Sequence, residues 1–144
     1  MKSTYLNLLI LFLFATAAVS AQKTAAPKIV INIRGIGTYS TLKDLQAMNK
    51  GDLITLYKER VKILINIIPY MGMTTKVGIT LKDLGIPVSP ENDKAMDKEV
   101  INRANYLLGL DEFLNTFIGY SDKSNLIYAI MFYEDELKKI YSQE

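Results

Sequence analysis

Residues 49–69 have the sequence NKGDLITLYKERVKILINIIP, which predicts the first long helix of an all-α protein. Asn49 followed three residues later by Asp52 is a helix-start signal, because side-chain oxygens there accept hydrogen bonds from unpaired backbone N–H groups. The proline at position 69 marks the end of the helix. Its polar arc is narrow and consists of Thr55, Lys58, Glu59, Lys62 and Asn66. Nearly all of the remaining circumference is apolar, with Arg60 as the exception.

Two short helices are predicted by one repeated pentapeptide. Thr41 and Thr80 each open the sequence Thr-Leu-Lys-Asp-Leu, in which Thr and Asp form a capping box. The first short helix should end near Met48, and the second should be stopped by Gly85 and a following proline. The repetition indicates either a duplicated helical unit or the reuse of a good cap.

Two further long helices follow. Ser89 followed by Pro90 predicts a helix that reaches about residue 118, either continuous or broken at Gly109. A last helix, capped by Ser121 or Asp122, should end near residue 141. The predicted fold is a small bundle of three long antiparallel helices plus two short helices.

An alternating segment precedes the helices. Ile29, Ile31 and Ile33 alternate with other side chains, which is the period of a half-buried β-strand. Residues 76–79 are the other strand-like segment, so we expect at most a short N-terminal strand or a two-stranded ribbon. Failing such a pairing, the segment would pair with a neighbouring subunit or with the sheet edge of another protein.

The first 21 residues predict an export signal. Lys2 provides a positive start, residues 5–19 form an apolar run, and small residues precede a cleavage site between Ala21 and Gln22. The run is shorter than the roughly 20 residues that a membrane-spanning helix needs. We therefore expect a cleaved signal peptide and no membrane span after cleavage. Residues 22–27 form a flexible leader in this interpretation, and residues 28–144 form a single helical domain.

Composition excludes several classes of function. The chain contains no cysteine and no histidine, so a Ser-His-Asp triad, a Cys-His pair and an ordinary zinc site are impossible. An exported chain without disulfides fits a bacterial periplasm or the secreted medium. Without Lys2, 16 basic and 15 acidic side chains remain, with no basic block of the kind that nucleic-acid binding requires. We expect no enzymatic activity, no cofactor, no metal and no nucleic-acid partner.

Three charged residues lie on apolar sides of the predicted helices. Arg60 has apolar neighbours one turn away in both directions, Asp111 lies within a stripe of the third long segment, and Glu134 flanks the stripe of the last helix. One hypothesis is an internal ion pair, or an Arg60 side chain that extends to water. The other is a pocket in which Arg60 binds an anionic ligand and Tyr57 or Tyr106 lines the wall. Asp111 is also explained as the cap of a new helix after a break.

The apolar stripes are expected to face the core. The stripe of the third long segment consists of Val100, Ala104, Leu107, Leu114 and Ile118. The stripe of the last helix consists of Leu126, Ile130, Tyr133, Leu137 and Ile140.

Three functions are compatible with these features. The first is binding of another envelope or secreted protein, for which we expect an exposed apolar patch near residues 70–73. The second is a carrier that holds a small apolar or anionic ligand between the helices. The third is an enzyme, which would need a carboxylate pair such as Asp111 and Glu134 in an open cleft.

Overall fold

The computed structural model describes residues 28–32 and 36–142 of the 144-residue chain, and this part is all-α. Its helices are α1 (Leu42–Ala47), α2 (Lys50–Ile67), α3 (Pro90–Phe117) and α4 (Lys123–Tyr141). Short 3-10 turns, Ile68–Tyr70 and Ile118–Tyr120, extend α2 and α3. The predicted signal peptide at residues 1–21 and the leader at residues 22–27 lie outside the described residues.

Side-chain caps mark the starts of three of the four helices. The hydroxyl of Thr41 accepts the backbone N–H of Asp44 at 3.2 Å, and the Asp44 carboxylate accepts the backbone N–H of Thr41 at 2.9 Å. Asn49 and Ser89 cap α2 and α3 by accepting a backbone N–H three residues further on. Asp122 precedes α4 without a side-chain cap bond. The predicted starts of these four helices are confirmed.

The second pentapeptide forms a turn instead of a helix, so the prediction of a second short helix is wrong. Thr80 and Asp83 make the same reciprocal hydrogen bonds as the first capping box. The chain then reverses at Gly85, which has a φ of 74°. The backbone N–H of Ile86 donates to the carbonyl of Leu81 at 3.0 Å and closes the turn. A glycine in the left-handed region ends the element after one turn.

The core lies between α2 and α4. The start of α2 lies at the end of α3, where Lys50 donates to the carbonyl of Gly119, so these two helices are antiparallel. The start of α2 packs against the start of α4 and its end against the end of α4, so these two are parallel, and α4 is the main packing partner of α2. One apolar cluster contains the buried residues Val30, Ile31, Ile63, Leu64, Ile67, Tyr70, Leu81, Leu137 and Ile140. A second cluster contains Leu45, Leu53, Leu126, Ile127 and Ile130. The predicted stripe of α4 therefore faces the core, as expected.

The N-terminal segment pairs within the chain. Ile29 and Thr80 form an isolated antiparallel bridge. The backbone N–H of Val30 donates to Ile79 at 2.8 Å, and the N–H of Gly78 donates to the carbonyl of residue 31 at 3.0 Å. Over the residues that the structure describes, this pairing is a single bridge and not a sheet. The predicted partner segment is correct, but the contact is shorter than a ribbon.

Helix α3 is continuous through Gly109 and is mostly exposed. Leu114 is its one buried residue, and Leu107 is half-buried. Val100 is 45% exposed and Ala104 is also exposed, so the prediction that these two residues face the core is wrong. The reason is that α3 packs mainly against one helix, α2, and a single neighbour covers only a narrow side of it.

Candidate functional site

Arg60 and Glu134 form an ion pair in the core. Arg60 is 4% exposed and Glu134 is 1% exposed, and Nε of the arginine donates to Oε1 of the glutamate at 2.9 Å. Along α2 and α4 the pair lies between the two apolar clusters. Removing two charges from water is costly, so such a pair persists only when its remaining polar atoms are also bonded.

Both partners of this ion pair are bonded to other groups as well. The Glu134 carboxylate accepts the backbone N–H of Ser40 at 2.6 Å and its hydroxyl at 3.2 Å. The Arg60 guanidinium donates to the carbonyl of Thr38 at 3.3 Å and lies 3.0 Å from the Glu59 carboxylate. The arrangement matches the internal ion pair of the first hypothesis, and it leaves little of Arg60 to bind a ligand.

Asp111 lies apart from this pair. It is exposed, and its carboxylate is 2.5 Å from Nζ of Lys58 and accepts a hydrogen bond from Asn115 at 3.0 Å. The hydrogen bond from Lys58 is the main cause that lowers the pKa of Asp111. Because α3 is unbroken, Asp111 is not a helix cap. The structure therefore does not bring Asp111 together with Arg60 or Glu134.

The two tyrosines of the predicted site make other contacts or lie exposed. The ring centroid of Tyr57 is 5.7 Å from that of Tyr133. Burial, helped by a hydrogen bond with Tyr133, raises the pKa of Tyr57 to about 12. Tyr106 is 59% exposed on the outer part of α3. Of the five predicted site residues, Arg60 and Glu134 are the two that the structure joins by a hydrogen bond.

An apolar groove runs between α2 and α3, and we call it the α2–α3 groove. Its volume is about 670 Å³. The apolar lining consists of Val61, Ala104, Leu107, Leu108, Leu110 and Leu114. The charged lining residues are Lys58, Glu59, Lys62 and Asp111, of which Lys58 and Asp111 neutralise each other. A groove with this lining can hold an apolar side chain or a small apolar molecule.

A second groove, of about 600 Å³, is lined by Tyr106, Glu99 and Arg103, and the last two belong to a polar network that the sequence did not reveal. The Tyr70 hydroxyl donates to the Glu99 carboxylate and accepts a hydrogen bond from Arg103 at 2.7 Å. The Arg103 guanidinium also lies 5.0 Å from the centroid of the Tyr70 ring. Burial, with the hydrogen bond to Glu99, raises the pKa of Tyr70 to about 12. The network ties the end of α2 to α3.

The side of α3 that borders the α2–α3 groove is apolar in its middle. Ile101 is 59% exposed, Leu108 is 66% exposed, and Ala104 lies between them. We call these three residues the α3 face. Further exposed apolar residues on α3 are Val100, Tyr106, Phe113 and Phe117. At residues 70–73, where an exposed apolar patch is expected, Tyr70 is buried, whereas Met71 is 44% exposed and Met73 is 47% exposed.

Residues 28–32 and 36–142 contain no group of three or more acidic side chains placed to hold a metal ion. None of the described helices combines the length and the hydropathy that crossing a membrane requires.

The sequence predicts the α3 face only in part. The spacing of residues 101, 104 and 108 is that of one helix face, but apolar residues occur on several sides of α3. Which side remains uncovered depends on the position of α2, and no local pattern shows that position. Comparison with protein-family models, with curated proteins and with solved structures found no match in any of the three.

Proposed function

We propose that this is an exported, non-catalytic helical protein of the bacterial periplasm or the secreted medium that binds an exported protein partner through α3. The observation that carries the proposal is the poor burial of this helix. Leu114 alone is buried among its 28 residues, whereas Ile101 and Leu108 expose more than half of their surface. A contiguous apolar surface on a small protein commonly marks an interaction site.

The partner that fits this surface is a helix with an apolar stripe. Residues 101, 104 and 108 have the spacing through which one helix packs against another. The α2–α3 groove lies beside them and shares Ala104 and Leu108 with the face. An incoming helix would therefore cover the face and insert side chains into the groove. The neutralised pair of Lys58 and Asp111 on the groove would be only partly desolvated.

The bonding of the two carboxylates Glu134 and Asp111 supports a non-catalytic role. Glu134 is committed to Arg60 and Ser40, and it is shielded from solvent. Asp111 is bonded to Lys58 at the α2–α3 groove. Acid-base catalysis by these two residues would need both carboxylates in one open cleft, and their bonding does not support such a site.

A carrier of a small apolar ligand is the alternative. The volume of the α2–α3 groove, about 670 Å³, falls within the range of roughly 300–1,000 Å³ that is typical of ligand sites. An anionic ligand has less support, because Arg60 is bonded to Glu134 and Arg103 is bonded to Glu99 and Tyr70. A reproducible bound mass in native mass spectrometry of the protein from its host would favour the carrier.

The test of the protein-binding proposal is site-specific photo-crosslinking in the native host. A photoreactive phenylalanine analogue replaces Leu108 in one variant and Lys43, an exposed residue of α1, in the matched control. We expect one discrete adduct from position 108, mapped by mass spectrometry to a helical segment of its partner, and none from position 43. Adding Ile101→Lys should abolish it. Equal adducts from both positions, or none from position 108, would contradict the proposal.

A further inference from the structure

We propose that the partner of the α3 face is a second copy of this chain, docked antiparallel about a two-fold axis at the level of residue 103. This inference rests on the proposed binding role of α3. It comes from two charged residues at the ends of the face. Lys94 and Glu112 are both exposed, and neither has an ion-pair partner among the described residues.

Lys94 and Glu112 project from the same side of α3. They are 18 positions apart, which at about 3.6 residues per turn is five complete turns, or about 27 Å along the axis. Ile101, Ala104 and Leu108 lie between them on that side. This side therefore has a positive charge at one end and a negative charge at the other, and the apolar residues between them lie beside the exposed polar residues Lys98 and Asn105.

Two copies of this charge pattern are complementary when the two α3 helices run antiparallel, but not when they run parallel. In an antiparallel pair, Lys94 of each copy lies at the level of Glu112 of the other, and the contact is repeated by the two-fold axis. In a parallel pair, lysine would face lysine and glutamate would face glutamate, which is unfavourable. In antiparallel docking the two helix dipoles also point in opposite directions, which is favourable.

A further acidic residue on this side of α3, Asp97, is compatible with the proposed dimer. Asp97 is neutralised within its own chain by Lys28, whose Nζ lies 2.6 Å from the carboxylate. In the proposed register Asp97 falls level with Gly109 of the other copy. Gly109 has no side chain, and a Cβ atom built there would meet nothing within 4 Å. This leaves room for the ion pair of Asp97 and Lys28.

Charge reversal and sedimentation of the purified, host-processed protein test the inference. We expect a dimer, and we expect Lys94→Glu or Glu112→Lys alone to raise its dissociation constant by about tenfold or more, as like charges then oppose each other. The double variant Lys94→Glu/Glu112→Lys should restore dimerisation. The control Lys43→Glu changes the net charge equally on α1 and should leave the dimer intact.

A cysteine pair tests the register, because the natural chain has no cysteine. In the proposed dimer, two copies of residue 104 are offset by about 3 Å along the axis, and two copies of residue 109 by about 18 Å. Ala104→Cys should therefore form an intermolecular disulfide on mild oxidation, and Gly109→Cys should not.

Three results would each overturn a different claim. A wild-type protein that sediments as a monomer, but is crosslinked from position 108 to a different protein, would overturn the self-pairing and leave the proposed function intact. A monomer that also gives no adduct from position 108 would overturn both. A dimer that the double charge reversal fails to restore would overturn the antiparallel arrangement.

Discussion

Arg60 and Glu134 are joined by a hydrogen bond of 2.9 Å at the level where the two apolar clusters of the core meet. Through Ser40 and Thr38, the same pair holds the segment that leads into α1 against α2 and α4. Three parts of the chain are thus connected by one buried polar network. Its contribution to folding can be measured separately from the proposed function of α3.

Replacing Glu134 by Gln should destabilise the fold strongly. The substitution leaves the buried Arg60 guanidinium without its carboxylate, and breaking such a pair typically costs about 3 kcal/mol in the free energy of unfolding. Urea denaturation followed by circular dichroism measures this loss. The matched control is Glu136→Gln on the outer side of the same helix, which should change the free energy of unfolding very little.

The double variant Arg60→Leu/Glu134→Leu separates the cost of an unpaired charge from the value of the pair. It removes both charges and fills the space with apolar atoms, so it should be less destabilised than Arg60→Leu or Glu134→Leu alone. Some loss should remain, because the backbone N–H of Ser40 loses its acceptor. A double variant as unstable as the sum of the single variants would show that the two charges do not interact.

Tyr70→Phe should weaken the attachment of α3 to α2. The hydroxyl of Tyr70 bonds to Glu99 and Arg103, so its removal should lower the free energy of unfolding by about 1–2 kcal/mol. Tyr128→Phe, at a residue that is 74% exposed, is the control and should have no measurable effect.

The raised pKa of Tyr70 predicts that the stability of the fold falls at alkaline pH. Folding raises the pKa of Tyr70 from 10.0 to about 12, so the unfolded chain releases the phenolic proton at a lower pH than the folded chain does. The stabilisation is complete below pH 10 and is lost as the pH rises toward 12. Urea midpoints across this interval should fall less steeply for Tyr70→Phe than for the wild type. Identical slopes would indicate that Tyr70 titrates normally.

Gly109→Ala should stabilise the protein. Gly109 lies inside the continuous helix α3, and a Cβ atom there meets nothing within 4 Å, so alanine should add about 0.5–1 kcal/mol. Gly85→Ala is the contrasting variant, because the φ of 74° at that position is unfavourable for alanine. Thermal unfolding should therefore shift upward for the first variant and downward for the second. A downward shift for both would indicate a hidden contact at Gly109.

Local signals were sufficient to predict most of the fold. The capping residues Thr41, Asn49 and Ser89 act between neighbours in the sequence, and the helices that they open begin as predicted. The turn at Thr80 shows the limit of such signals. Its cap forms, but the conformation of Gly85 five residues later decides that no helix follows.

Contacts between helices were harder to predict. The isolated position of Arg60 on an apolar side of α2 indicated a buried charge, and both Asp111 and Glu134 were plausible partners. The choice depends on the rotation of three helices relative to one another, which periodicity does not determine. The network of Tyr70, Glu99 and Arg103 was missed for the same reason. The local sequence around each of these three residues gives no sign that it belongs to a network.

The accessibility of position 108 in living cells tests the central claim that a partner covers α3. Leu108→Cys and Lys43→Cys are each the only cysteine of their chain, so labelling by a membrane-permeant maleimide reports one site in each variant. Both residues are exposed in the isolated chain. We predict that in intact host cells the cysteine at position 108 is protected while that at position 43 reacts, and that dilution of the purified protein removes the protection. Equal, rapid labelling of both cysteines in intact cells would contradict the account.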